Sequence, residues 1–234
     1  MAVIAGLDGC KGGWLCLTQD LSTSIIEGRI LRQIEEVLLL KPRPQVLAVD
    51  VPIGLTDHGS RECDLEARVR LKAPRASSVF SAPVRPVLSG MSYEEASNIG
   101  RRTDGRGISQ QLWGILPKIR EVDTFLRSDL SLTEWIREVH PEVCFWYWNG
   151  GRAMLHAKKK AQGREERERL VISCYGPAYR QVQLSLPRGH FANDDLLDAF
   201  AALWSAKRVT TGHAVVLPTV PPIDSCGLRM EMVA

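Results

Sequence analysis

The six cysteines of this 234-residue chain form no C-x-x-C pair. Cys10, Cys16, Cys63, Cys144, Cys174 and Cys226 lie far apart, which argues against a structural zinc site and, at this chain length, against a disulfide framework. No apolar run approaches the ~20 residues that a membrane helix needs, and the longest aliphatic cluster is only Val37 to Leu40. Charge bias is equally scarce. Thirty Lys+Arg against 27 Asp+Glu leaves a net charge of +3, short of the strongly basic balance that by itself points to nucleic acid. No internal repeat, low-complexity tract or linker divides the chain, so one domain over residues 1–234 is expected. The opening residues show neither a positive leader nor a cleavage-like site. The expectation is a cytoplasmic protein with reduced thiols and no membrane partner. A hydrophobic fraction of 44% and a charged fraction of 24% suit a globular fold and exclude wholesale disorder.

Short apolar runs come first. Residues 3–7 end at Asp8-Gly9, a glycine-rich turn with Gly12 and Gly13 follows, and Trp14 to Leu17 continues, the pattern of a β-hairpin. Ser24 to Ile30 suits a third antiparallel strand. Leu31, Ile34, Val37 and Leu38 recur at helical spacing until Pro42 and Pro44 end the helix. Val46 to Val51 reads as a strand buried on both faces, with Asp50 inside it. Residues 57–90 lack periodicity and suit an irregular insertion with one short helix. A helical region spans Ser92 to Arg127 with a break around Gly105 and Gly107. Arg137 to Trp146 alternates like a fifth strand, and residues 152–169 are charge-dense. A last helix, Asp194 to Lys207, opens at Asn193 with acids in its first turn, where the helix dipole favours them. The element order predicts a mixed α/β sheet covered by helices.

Asp8 and Asp50 each end an aliphatic strand, where an ionised carboxylate is costly unless it is paired or bound to a cation. If the two strands are neighbours, the acids converge, and either a proton or a cation must relieve their repulsion. Asp195 and Asp198 stand three apart on the last helix, whose other residues are apolar, so this acidic face can reach the same place. All four offer oxygen ligands suited to Mg²⁺ or Mn²⁺. Two of them also have a purely structural reading: Asp8-Gly9 is a hairpin-turn dipeptide, and Asp195, like Asp194, suits a helix start.

Three stretches carry a resemblance: Gly6-Leu7-Asp8-Gly9 with Gly12-Gly13-Trp14, Val49-Asp50-Val51-Pro52-Ile53-Gly54, and Asp194-Asp195-x-x-Asp198-Ala199. Together with Arg61-x-Cys63-Asp64, Ser78 to Pro83, Pro117-Lys118-Ile119, Glu138 to Glu142 and Gly227 to Glu231, they resemble a family of predicted ribonuclease H-like nucleases related to Holliday-junction-resolvase-type proteins. The resemblance runs nearly end to end. It implies a ribonuclease H-like five-stranded sheet of order 3-2-1-4-5, strand 2 antiparallel, with insertions after strands 4 and 5. It also implies metal binding by Asp8, Asp50, Asp195 and Asp198, and a supporting acid at Glu142. On an alternating fifth strand Glu138, His140 and Glu142 would share a face, with His140 a neighbour of the substrate.

The implied activity is metal-dependent hydrolysis of phosphodiester bonds in nucleic acid, with Lys158, Lys159 and Arg68 contacting phosphates. Residues 164–169 suit a solvated helix face instead. Trp146, Tyr147 and Trp148 fit either base stacking or core packing. Two other classes stay open. The glycine turn after the first strand resembles the phosphate-binding hairpin of actin-like and sugar-kinase-like ATPases, and a catalytically silent nucleic-acid-binding module would share the same surface. A homodimer is compatible with the sequence.

Overall fold

The computed structural model describes residues 2–234. Strands β1 (Val3–Cys10), β2 (Gly13–Asp20) and β3 (Ile26–Leu31) form an antiparallel meander, and β4 (Val46–Val49) and β5 (Ile136–Glu138) join it in parallel. The resulting sheet has the order β3-β2-β1-β4-β5, the expected 3-2-1-4-5 mixed α/β architecture. Helices α1 (Glu62–Arg75), α2 (Tyr93–Asp104) and α3 (Gln110–Ser128) lie between β4 and β5 in sequence. Helices α4 (Pro141–Trp148), α5 (Ala161–Tyr175), α6 (Ala178–Ser185) and α7 (Asn193–Thr210) follow β5. Two short strands, β6 (Val216–Leu217) and β7 (Met232–Val233), pair with each other near the C-terminal end.

The central strands are buried on both faces, so the sheet separates two apolar cores. One holds Ala5, Leu7, Leu47 and Val49 with α3; the other holds Ile4, Val46 and Ala48 with α4 and α7. This is why β1 and β4 read as unbroken apolar runs instead of alternating ones. No helix among the described residues is long and apolar enough to cross a membrane.

Two expectations need correction. Strand five is short: it ends at Glu138, and Pro141 takes the first position of α4, where its missing N–H costs nothing. A run that is apolar on every side, Val143 to Trp148, suits a buried helix as well as a strand, and here it is the helix. The segment after Leu31 is a 3-10 turn, Ile34–Leu39, that buries only Ile34 and Val37. The charge-dense stretch leads into the 15-residue α5. The break in the 92–127 region falls where expected, with Gly105 at φ 70° closing α2 and Ser109 capping α3.

Candidate functional site

Strand parity decides which side chains meet. On β1, Ala5 and Leu7 point into one core and Ile4 into the other, so Asp8 lies on the Ile4 side. Leu7 is matched with Val49 across the parallel pair, which sets Asp50 beside Asp8; the Asp50 amide donates to the Leu7 carbonyl at 3.0 Å. The same face packs on α7. A Cβ at Gly6 would lie 2.3 Å from the Leu203 nitrogen and 2.5 Å from the Ala199 oxygen, so only glycine lets helix and strand approach this closely. That approach carries Asp198, and Asp195 one turn earlier, to the carboxyl end of β1.

A cleft of about 580 Å³ opens there, lined by Asp8, Asp50, Asp195 and Asp198 and also by Glu142, His140, Lys158 and Lys159. Asp8 and Asp198 are buried. Burial, then the charges of Asp50 and Asp198, hold the Asp8 carboxyl well above the usual aspartate range. Burial and then Asp198 push Asp50 up to about 7, while a hydrogen bond with Asp8 pulls the other way. Neighbouring carboxylates repel when both are ionised, which favours a proton on one of them. Burial also raises Asp195, although its Oδ2 accepts from the Ala192 amide at 2.8 Å.

Lys158 is the counter-charge of this group. Its Nζ donates to Asp198 Oδ2 at 2.6 Å, and the attraction of Asp198, helped by Asp50 and Asp8, holds it ionised far above the ordinary lysine range. Its side chain stays 43% exposed, so the ammonium can withdraw along the cleft without unpacking the core.

The donors fit a hard divalent cation. They are carboxylate oxygens only, and a cation would take over from the lysine as the source of positive charge. Among the described residues, the three potential ligand atoms lying within 4.8 Å of one another belong to Cys63, Asp64 and Glu138; no three of the cleft aspartates close to that spacing. That tighter group does not suit a metal. The buried Arg61 already fills it, donating to Asp64 Oδ1 at 2.6 Å and to both Glu138 oxygens at 2.7 Å. Burial raises the Cys63 thiol, away from the thiolate that a metal would need.

The other sequence candidates separate. Glu142 does not share a strand face with Glu138 and His140: it sits in the first turn of α4, where Arg167 binds both its oxygens at 2.8 and 2.6 Å, and both side chains are buried. His140 Nε2 lies 3.2 Å from the Ser78 carbonyl, and burial, then Lys158, lowers the ring to about 4, so it is neutral near pH 7. Lys159 lines the cleft. Arg68 is not among the lining residues; its Nε donates to the Val79 carbonyl at 2.6 Å. Trp146 to Trp148 also lie outside the lining, with Trp148 stacked on Phe145 and Trp204. In the β1–β2 hairpin the Gly12 amide donates to the His190 carbonyl at 2.8 Å, and Gly13 pairs with Cys10 across the two strands.

Sequence reasoning missed two buried cations, Arg61 and Arg167. Arg61 left one signal, an i,i+3 pairing with Asp64 at the start of α1. Arg167 left none, because its neighbours Glu165 and Arg169 do form the surface pair that the stretch suggests.

A family model described as protein of unknown function (DUF429) matches residues 6–223. The chain belongs to the DUF429 family. No curated protein and no solved structure matches it. The match begins at Gly6 and takes in Asp8, Asp50, Lys158, Asp195 and Asp198, so the whole cleft constellation of this DUF429 member falls inside the family region.

Proposed function

We infer that the cleft is the active site of a divalent-metal-dependent hydrolase acting on phosphodiester bonds in nucleic acid. One observation carries the reading. Four aspartates from three distant segments line one cleft, Asp8 and Asp198 are buried there, and burial and the neighbouring acids hold the carboxyls of Asp8 and Asp50 above the usual aspartate range. Folding tolerates such repulsion where a bound cation offsets it. Asp8, Asp50, Asp195 and Asp198 would hold Mg²⁺ or Mn²⁺. Bound there, the ion would activate a water and neutralise charge on the phosphate.

The chain's own residues supply the rest. Asp8 and Asp50, fixed on adjacent strands, give a rigid floor. Asp195, tied to the Ala192 amide, orients the mouth of the cleft. Lys158 balances the acids and, with an ion bound, would be free to face a phosphate. Glu142 and Arg167, neutralised by each other, anchor α5 to α4.

A second reading rests on the Lys158–Asp198 pair. A carboxylate already neutralised by lysine has less need of a metal, which favours a catalytically silent nucleic-acid-binding module. Incubating a panel of labelled single-stranded, duplex, hybrid and junction oligonucleotides with Mn²⁺ decides between them. Cleavage by the wild type that Asp8→Asn abolishes supports the hydrolase. Salt-sensitive binding without cleavage, equal in both proteins, supports the silent module.

A further inference from the structure

Five cations line the cleft, and their pairing divides them: Arg61, Arg75, Lys118, Lys158 and Lys159. Arg61 is held by Asp64 and Glu138, Lys158 by Asp198, and Lys118 by Glu121 at 3.1 Å. Among the described residues, Arg75 and Lys159 have no carboxylate partner. The Arg75 Nε is moreover buried with no hydrogen-bond acceptor, which costs stability.

The backbone is bent to place this arginine. Helix α1 breaks at Lys72, whose φ of 55° non-glycine residues rarely adopt, and Pro74 follows. After the break the chain runs along the cleft wall through Ser77, Ser78 and the half-buried Phe80. Guanidinium forks and ammonium groups are the usual partners of phosphate oxygens. Beside them, Phe80 offers a flat apolar surface of the kind on which a base stacks. A volume of about 580 Å³ is on the scale of a small-ligand pocket.

We propose that Arg75 and Lys159 hold a phosphate group of a nucleotide unit whose base lies against Phe80, next to the aspartates. This names the substrate unit of the hydrolase and rests on that reading for the chemistry, though not for the binding. The ligand enters the cleft as a single nucleotide, so a strand end or an unpaired nucleotide fits and a continuous duplex does not.

Binding is measured by calorimetry in EDTA at low salt, with adenosine 5′-monophosphate, ribose 5-phosphate and inorganic phosphate as probes. The expected order places the nucleotide roughly fivefold or more ahead of ribose 5-phosphate, the lower end of what base stacking supplies. Phe80→Ala should erase that advantage. Arg75→Gln with Lys159→Gln should weaken all three probes by roughly tenfold or more, while Arg169→Gln, on the exposed face of α5, leaves them unchanged. If the double variant fails to fold, Lys159→Gln alone carries the test, since Lys159 is exposed. The proposal is overturned if the nucleotide does not bind, if the variant binds it like the wild type, or if ribose 5-phosphate binds equally well. Nucleotide binding without metal-dependent cleavage removes the hydrolase and keeps this subsite; cleavage without nucleotide binding does the reverse.

Discussion

Replacing Asp50 by asparagine should make the metal-free protein more stable at neutral pH and leave it almost unchanged near pH 4. Burial and Asp198 raise Asp50 from 3.8 to about 7. Between those values the unfolded chain has released the proton and the folded chain still holds it. Stability of the wild type therefore falls as pH rises through that window, and levels off above it. At ~1.4 kcal/mol per unit the full penalty is about 4 kcal/mol. Part of Asp50 still faces the cleft and its water, so an advantage of about 2–4 kcal/mol is expected for Asp50→Asn near pH 7.5. Asparagine keeps the size and shape of the side chain while removing its charge.

Urea denaturation in EDTA, repeated from about pH 4.5 to 8, measures the difference directly. Excess Mn²⁺ should then invert the ranking, stabilising the wild type and not the variant. A variant less stable than the wild type in EDTA near pH 7.5, or one whose advantage does not vary with pH, would refute the electrostatic reasoning. Equal Mn²⁺ stabilisation of both proteins would remove Asp50 from the metal set.

Other outcomes follow from the same geometry. Lys158→Met removes the ammonium that competes for Asp198, and should tighten Mn²⁺ binding by roughly tenfold, read as a lower Mn²⁺ concentration for half-maximal stabilisation; weaker binding would show that the lysine assists the site. Gly6→Ala places a methyl group against the α7 backbone and should cost about 2–4 kcal/mol, seen in the urea midpoint. Arg167→Met strands the buried Glu142 carboxylate and should cost about 3–5 kcal/mol, and adding Glu142→Gln should recover most of it. Were Glu142→Gln alone to abolish cleavage without loss of stability, Glu142 would belong to the chemistry instead of the scaffold.

Local pattern determined a good deal of this protein. Two aliphatic runs, each carrying an aspartate at its end, specify buried strands, because only a strand covered on both faces can bury every side chain, and the structure makes them neighbours. The D-x-x-D spacing on an otherwise apolar helix placed both acids on one face of a helix packed on the sheet, and the structure shows Gly6 letting that helix approach β1. The fifth strand ends at Glu138 although Glu138, His140 and Glu142 alternate, because Pro141 opens a helix and the apolar run after Glu142 has no period to oppose it. Tertiary structure alone decided which charges cancel. Lys158 finds Asp198 across 40 residues, Arg167 finds Glu142 across 25, and Arg61 finds Glu138 across 77. Attraction between opposite charges acts through space and leaves no period along the chain, so the same basic stretch can supply a surface pair, a buried anchor and a free cation in the cleft.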